Sequence, residues 1–197
     1  MPSVYIAGPE VFEREAFEIG ELKKKICAQA GFEGRYPLDS LGKILKDPGL
    51  STEKRAFLIY KEAEKMLRGC DLVIANLTPF RGPSADSGTV WEVGCAFGLG
   101  KPVFGYTLDP RPYEQKVPGV RHTDSGLRDS HGFLVEDFGK KDNIMIDCSI
   151  ESRGGVFLAK RGSPLHVFQE IVEIAKKRYQ ELLAEKTKSV TTSGLFR

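Results

Sequence analysis

The sequence has no Cys-x-x-Cys pair, and it has only three histidines among its 197 residues. Zinc sites and redox motifs need cysteines or histidines at short, regular spacings, and no such spacing occurs here. Three of the four cysteines stand in or beside apolar helical segments. We therefore expect reduced cysteines, no metal site and no redox cofactor. The residues concerned are Cys27, Cys70, Cys95, Cys148, His122, His131 and His166.

Long apolar runs are also missing. No stretch approaches the length of a membrane span, and the N-terminus lacks a basic region followed by an apolar signal segment. The 29 basic and 27 acidic residues nearly balance, and the basic ones are spread along the chain, which argues against a nucleic-acid surface. We interpret the lysines at 23–25 as a solvated helix face. These absences predict a cytoplasmic protein without nucleic-acid or membrane partners.

A Gly-x-Gly-x-x-Gly dinucleotide loop is absent as well, although the chain opens with a strand that turns directly into a helix. Residues 4–7 are apolar and stop at a Gly-Pro pair, and residues 12–30 follow with helical spacing. Buried strands at 71–77 and 103–106 alternate with further helices that end at glycines. This alternation predicts an α/β fold, a doubly wound parallel sheet with helices on both faces.

The C-terminal half is harder to assign. Residues 109–132 have little periodicity, which is typical of a lid or an interface segment. The last helix begins at Ser163-Pro164, and we expect residues 1–186 to form a single domain and residues 187–197 a flexible tail. Residues 41–50 are predicted to form a loop, residues 143–147 a loop or a short strand, and residues 154–158 are ambiguous.

The most informative stretch is a helix preceded by a loop that ends at Asp86 and Ser87. An interior glycine costs about 1 kcal/mol in helix propensity. Gly94 and Gly98, one turn apart, therefore suggest a close approach by another backbone or by a ligand. Glu92 stands near the start of this helix among apolar residues, and a partly buried carboxylate needs a partner or a function. The alternative is an ordinary solvated helix glutamate.

Asp86 and Glu92 form a pair of carboxylates at one loop–helix junction. Glycosyl transfer uses such a pair, because one group attacks or stabilises the anomeric carbon while the other handles the leaving group's proton. Asp71 stands just before a predicted strand and joins the pair only in a favourable geometry. The alternative for Asp86 is a helix N-cap or a turn residue, and the residues alone leave both roles open.

Four blocks of the sequence carry a family resemblance. They are residues 4–9 (VYIAGP) with Phe12, residues 69–77 (GCDLVIANL), residues 86–94 (DSGTVWEVG) and the Asn-x-Met element at residues 143–145. Together they resemble the nucleoside 2-deoxyribosyltransferases, and the block that contains Asp86 and Glu92 is the most specific. The segment between residues 109 and 142 and the last helix carry no part of the resemblance.

The resemblance implies a flavodoxin-like fold. It also implies a cofactor-free enzyme that exchanges the nucleobase of 2′-deoxyribonucleosides with a free nucleobase. In that scheme Glu92 attacks C1′ and forms a covalent deoxyribosyl-enzyme. Tyr5 hydrogen-bonds and orients Glu92. Asp86 protonates the departing base and later deprotonates the incoming one.

The same resemblance implies a set of substrate-binding residues. Gly8 belongs to this set, as does Asp71, which would position the base or the sugar. Phe12 would pack on the base, with a core role as the alternative. Asn143 and Met145 would reach the sugar 5′-hydroxyl from a neighbouring subunit, so the protein would be a homo-oligomer with a shared site. The alternative for Met145 is a core-filling role.

Two other functions remain open. A 2′-deoxynucleoside 5′-monophosphate N-glycosidase would use the same Glu92 and pass the sugar to water, with Ser84 and Ser87 as candidate phosphate ligands. A non-catalytic nucleotide-sensing module would use the same fold without chemistry. The Asn-x-Met element favours the transferase over the hydrolase. The presence of Tyr5, Asp86 and Glu92 together argues against the sensing module.

Overall fold

Five parallel strands form the central sheet. The computed structural model describes residues 1–193, without the side chains of residues 186 and 189–193. The strands in chain order are β1 (Ser3–Ala7), β2 (Glu33–Arg35), β3 (Leu72–Asn76), β4 (Val103–Thr107), β5 (Arg121–Thr123), β6 (Gly126–Arg128) and β7 (Val156–Ala159). The sheet order is β2-β1-β3-β4-β7, while β5 and β6 form a separate antiparallel hairpin. This order is that of the flavodoxin-like doubly wound fold, as predicted.

Helices cover both faces of the sheet. They are α1 (Ala16–Gln29), α2 (Gly42–Lys46), α3 (Thr52–Arg68), α4 (Ser87–Gly98), α5 (Ile144–Ser152) and α6 (Pro164–Ser193). Side chains of α1 and α6 pack on one face, and side chains of α3, α4 and α5 pack on the other. Among the described residues, no helix combines the length and the hydrophobicity that a membrane span requires.

The residues of β1 show how the sequence builds the two layers. Val4 and Ile6 join the core beneath α1 and α6, whereas Tyr5 and Ala7 join the core beneath α4 and α5. Side chains alternate between the faces of a strand, and all four are buried because helices cover both sides. A continuous apolar run is the sequence pattern of such a strand, which is why this strand and β3 were predictable.

The structure differs from the sequence-based expectations in three segments. Residues 42–46 form α2 within the predicted loop, and residues 144–152 form α5 where a loop or short strand was expected. The side chain of Asn143 accepts a hydrogen bond from the Met145 backbone N–H, which makes it the N-cap of α5. The helix α6 runs to Ser193 rather than ending near residue 186. Residues 187–193 contain no glycine or proline that would stop it, and residues 194–197 lie outside the described residues.

The polar centre of the α1–α6 side is a buried ion pair. Lys23 Nζ lies 2.5 Å from Glu10 Oε1, and both residues are buried. The same oxygen accepts hydrogen bonds from Asn76 Nδ2 at 2.8 Å and from the Tyr106 hydroxyl at 3.0 Å. Burial is the largest single influence and would raise the pKa of Glu10, but the charge of Lys23 and the hydrogen bonds to the carboxylate together hold the pKa below its usual value.

The expectation of a solvated face at residues 23–25 is therefore wrong for Lys23. A signal for its burial was present in the sequence, because Lys23 falls on the buried stripe of α1 at helical spacing. The other members of that stripe are Ala16, Gly20 and Cys27.

We predict that Lys23→Met destabilises the fold by about 3 kcal/mol, because it leaves the Glu10 carboxylate buried without a cation. The double variant Glu10→Gln/Lys23→Met should recover most of this loss, since no charge then remains buried. Urea unfolding of both variants measures the difference. Lys160→Met removes a lysine from an exposed ion pair with Glu170 and should leave the unfolding midpoint nearly unchanged. Equal destabilisation of the single and double variants would contradict the prediction.

Candidate active site

A cleft of about 460 Å³ opens at the carboxyl end of β1, beside the N-terminal half of α4. The sheet order reverses between β1 and β3, and ligands of doubly wound folds bind at that point. The cleft volume suits a small organic ligand. Asp86 and Glu92 lie on one side of the cleft. Its remaining walls are mainly apolar: Val11, Phe12, Phe17, Leu38, Leu41, Leu45 and Ile59.

Glu92 is fixed by a residue of the central strand. The Tyr5 hydroxyl donates a short hydrogen bond to Glu92 Oε1. Tyr5 is fully buried in β1, while Glu92 is half-buried on the second turn of α4. A carboxylate held by a buried phenol cannot rotate freely, so one face of Glu92 points at the cleft in a defined direction. The reading of Glu92 as an ordinary solvated helix residue is therefore wrong.

The surroundings of Glu92 shift its protonation. Burial, together with the negative charge of Asp86, raises the pKa of Glu92 to about 7, although the Tyr5 hydrogen bond acts in the opposite direction. Burial and the Glu92 charge raise the pKa of Tyr5, so the phenol remains a donor at neutral pH. Glu92 is thus a carboxylate that loses its proton near neutral pH, and its anion is poorly solvated. Such an anion is a good nucleophile.

Asp86 is the N-cap that the sequence offered as one alternative, and it also lies at the cleft, where the proton-transfer role stays a prediction. Its Oδ2 accepts hydrogen bonds from the Thr89 backbone N–H at 2.9 Å and from the Thr89 hydroxyl at 3.1 Å, which makes Asp86 the N-cap of α4. Asp86 also lines the cleft beside Glu92. In the described part of the chain, both bonds go to Oδ2, which leaves Oδ1 for a ligand.

Gly8 and Phe12 form the wall opposite α4. A Cβ on Gly8 would overlap the Glu10 carboxylate and would lie 2.9 Å from Asn76 Cβ, so only glycine fits here. Phe12 is 59% exposed and stacks on Phe80 with ring centroids 5.6 Å apart. The alternative core role for Phe12 is therefore wrong, and its ring belongs to the cleft.

Asp71 lies away from this site. It precedes β3 at the amino ends of the strands, where its Oδ2 accepts hydrogen bonds from the Ser3 backbone N–H at 2.7 Å and from the Ser3 hydroxyl at 2.9 Å. The Glu92 cleft is at the opposite ends of the strands. The predicted substrate-binding role of Asp71 is thus corrected to a structural one. In a parallel sheet all strands start at one edge and end at the other, so a residue before β3 lies far from a cleft at the carboxyl ends.

Asn143 and Met145 do not line the Glu92 cleft of their own chain. The Asn143 side chain caps α5 and donates from Nδ2 to Glu136 Oε1 at 2.8 Å. Met145 is 75% exposed, so the core-filling alternative is wrong. Met145 lines a second, apolar cleft of about 450 Å³ between α4 and α5. Gly94 also lines it, and a Cβ at Gly94 would meet no atom within 4 Å in the described structure. Packing within this chain therefore does not require that glycine.

Several residues that shape the site gave no local signal in the sequence. Arg81, the single non-glycine residue with a positive φ among those described, places its guanidinium 5.2 Å from the Phe12 ring centroid and 4.7 Å from that of Phe80. Asp142 is buried and bonds to the loop before Asp86. Both contacts join segments far apart in the chain. No cluster of metal-ligating side chains was found in the described residues.

The comparisons with known proteins agree with this geometry. A family model described as "Nucleoside 2-deoxyribosyltransferase" matches residues 4–145, well over half of the chain. The chain belongs to the nucleoside 2-deoxyribosyltransferase family. An uncharacterised protein of Schizosaccharomyces pombe is 33% identical over 171 residues, which cover 79% of this chain and 80% of that protein.

Two solved structures resemble the fold of this family member. The 2-deoxyribosyltransferase of Leishmania mexicana aligns with a TM-score of 0.62 and 27% identity, over 88% of this chain and 98% of that one. A conserved protein of Enterococcus faecalis aligns with a TM-score of 0.51 and 18% identity over the same shares, and this likeness concerns the fold alone. Family and first neighbour support an enzyme that acts on nucleosides and nucleobases.

We predict that Glu92→Gln stabilises the fold at pH 8, by up to about 3 kcal/mol. The pKa of Glu92 in the fold is about 7 against an ordinary value of 4.5. The folded state therefore keeps a proton that the unfolded chain has lost, and stability falls as pH rises between these values. The glutamine side chain does not ionise, and its amide oxygen can still accept the hydrogen bond from the Tyr5 hydroxyl. The gain should shrink on going from pH 8 to pH 4.5, as measured by urea unfolding.

The matched control is Glu173→Gln, which changes an exposed glutamate on α6. It should show no comparable pH-dependent gain. A Glu92→Gln effect that is the same at pH 4.5 and pH 8 would show that the Glu92 carboxylate does not have a raised pKa.

Proposed function

We propose that the protein exchanges the nucleobase of 2′-deoxyribonucleosides through a covalent deoxyribosyl-Glu92 intermediate. The observation that carries this proposal is the Tyr5–Glu92 hydrogen bond at the wall of an apolar cleft, with Asp86 beside it. A partly desolvated carboxylate held in one direction is suited to attack on carbon. Family membership supports the same chemistry.

In the first half-reaction, the Glu92 carboxylate attacks C1′ of the nucleoside, and the bond between C1′ and the base nitrogen breaks. The electron pair of that bond goes to the base. Asp86, which takes up a proton from solvent before this step, gives it to the base, so that the base leaves as a neutral molecule and Asp86 is left as a carboxylate. A 2-deoxy sugar lacks the electron-withdrawing 2-hydroxyl, and its cationic transition state therefore forms without a metal or other cofactor.

In the second half-reaction, a new base attacks C1′ of the deoxyribosyl-enzyme and releases Glu92. Asp86, now a carboxylate, accepts the proton of the incoming base. Two displacements at C1′ retain the anomeric configuration. The exposed Phe12 ring and the apolar walls of the cleft offer a planar surface to the base.

The surface around Met145 supports a site shared between subunits. Met145 is highly exposed, and the α4–α5 cleft beside it is lined mainly by apolar groups. The open positions at Gly94 and Gly98 leave room for a second backbone. We propose that residues 143–145 complete the sugar site of a neighbouring subunit in a homo-oligomer.

One observation favours this proposal over the 5′-monophosphate hydrolase. Ser84 was a candidate phosphate ligand, but its hydroxyl donates a short hydrogen bond to Asp142. The other candidate, Ser87, is exposed on the first turn of α4. The contact of Ser84 therefore favours a free nucleoside as the substrate.

A base-exchange assay tests the function. The protein is incubated with 2′-deoxyinosine and free adenine, and the products are separated by chromatography. We expect 2′-deoxyadenosine and hypoxanthine in equal amounts. Hypoxanthine with free deoxyribose and no new nucleoside would indicate a hydrolase. If neither product forms with this donor, with a pyrimidine donor or with a 5′-monophosphate, the chain is a binding module rather than an enzyme.

The variant Glu92→Ala should abolish exchange while the protein keeps its fold, because no other group can form the deoxyribosyl ester. Mass spectrometry of the wild-type protein mixed with donor alone should find one deoxyribosyl group on the peptide that contains Glu92. Appreciable base exchange by pure Glu92→Ala protein would refute the assignment of Glu92 as the nucleophile.

Tyr5→Phe should lower turnover and move the acidic limb of the kcat/KM profile to higher pH. The Tyr5 hydrogen bond lowers the pKa of Glu92, so its loss makes the carboxylate harder to ionise. The matched control is Tyr36→Phe, which removes a buried hydroxyl that has no hydrogen-bond partner among the described residues. A profile that moves equally in both variants would argue against a specific Tyr5–Glu92 coupling.

A further inference from the structure

Asp142, a buried carboxylate, joins two distant segments beside the candidate site. It is only 1% exposed. Its Oδ2 accepts a hydrogen bond from the Ala85 backbone N–H at 2.9 Å, and its Oδ1 accepts one from the Ser84 hydroxyl. Oδ1 also accepts from the Asn143 backbone N–H at 2.8 Å. Two of the three donors thus belong to the loop that leads into Asp86.

These donors, rather than an ion pair, hold the Asp142 carboxylate. Among the described residues, no lysine or arginine nitrogen lies within ion-pairing distance of Asp142; the nearby Lys116 ammonium donates instead to the Lys141 carbonyl. A buried carboxylate requires such donors, and hydrogen bonds impose a direction that a charge contact does not. Asp142 therefore holds the N–H side of the Ser84–Ala85 peptide, while the Phe80 backbone N–H holds its carbonyl oxygen at 3.0 Å.

Asp86 is held from both sides as a result. On its C-terminal side, Thr89 bonds the Asp86 carboxylate and Val90 N bonds its carbonyl oxygen. On its N-terminal side, Asp142 holds the preceding residue. The backbone of Asp86 lies outside the helical conformation (φ −56°, ψ 132°), so the peptide before it contributes to the direction of its side chain.

We propose that Asp142 is a positioning residue for proton transfer: it holds the Ser84–Ala85 peptide so that Asp86 reaches the nitrogen of the departing base. The inference rests on the proposed function. In the step concerned, the C1′–N bond breaks, its electron pair goes to the base, and Asp86 donates the proton. Asp142 touches no substrate and exchanges no proton.

A leaving-group comparison tests this role. The base of 2′-deoxyinosine needs a proton to depart, whereas that of 7-methyl-2′-deoxyguanosine carries a positive charge and departs as a neutral molecule without one. Asp142→Ala should lower kcat/KM for 2′-deoxyinosine by at least about tenfold and change it for 7-methyl-2′-deoxyguanosine much less. Asp86→Asn, which removes the donor itself, should show the same selective pattern, and Ser84→Ala a milder one.

Asp129→Ala provides the matched control. Asp129 also accepts backbone N–H bonds, from His131 and Phe133, and it belongs to the same long segment without touching the loop before Asp86. It should leave the ratio of the two kcat/KM values unchanged. Equal losses on both nucleosides in Asp142→Ala would overturn the proposal, because a general disturbance of the fold does not depend on the leaving group. Unchanged rates on both would overturn it as well.

Hydrogen exchange separates this inference from the proposed function. In Asp142→Ala, the Ala85 amide should exchange faster, while amides of β3 and β4 should keep their protection. If Asp142→Ala is too unstable to purify, Ser84→Ala gives both readouts. Wild-type protein that acts on neither nucleoside would refute the proposed function and, with it, the role in proton transfer. A faster Ala85 amide would still support Asp142 as the residue that holds the loop, and unchanged exchange would refute that too.

Discussion

The hydrogen bond between Tyr5 and Glu92 joins the rigid centre of the sheet to the reactive helix. Tyr5 is fixed because β1 is buried on both faces, and Glu92 is fixed because Tyr5 is. The hydrogen bond forms only if α4 lies at a fixed distance from the sheet. The buried side chains of Val93 and Ala96, which pack between α4 and the sheet, set that distance. The core below the helix therefore sets the direction of the carboxylate above it, and stability and chemistry depend on the same packing.

The features that could be predicted from the sequence are those that depend on residues close together in the chain. Apolar runs marked β1 and β3, the Gly-Pro turn marked the end of β1, and the short distance between Asp86 and Glu92 indicated one junction. Prediction from the sequence failed where the decisive contact joins distant residues. Asp71 was misplaced because its strand direction, not its spacing, puts it at the far edge of the sheet. The role of Asp142 was not visible, because its donors at Ser84 and Ala85 lie nearly sixty residues away.

Two carboxylates near the cleft, one buried and one half-buried, have opposite electrostatic surroundings. Glu10 is paired with Lys23, so its charge is compensated and its pKa stays low. Glu92 has no cation partner among the described residues, and burial, together with the charge of Asp86, raises its pKa. The first arrangement keeps a wall of the cleft in place. The second leaves a charge that is destabilised in the free protein, which is what the proposed attack on carbon would use.

The contact beneath Gly8 also restricts how this sequence can change. A side chain at residue 8 would occupy the space of the Glu10 carboxylate and would also press on Asn76 Cβ, so a larger residue there requires changes at both residue 10 and residue 76. A shorter residue at position 10 would leave the buried Lys23 ammonium without its counter-charge. Positions 10 and 23 are therefore expected to change together, and a change at position 8 is expected only with changes at its neighbours. A stepwise route through single substitutions would pass through poorly folded proteins.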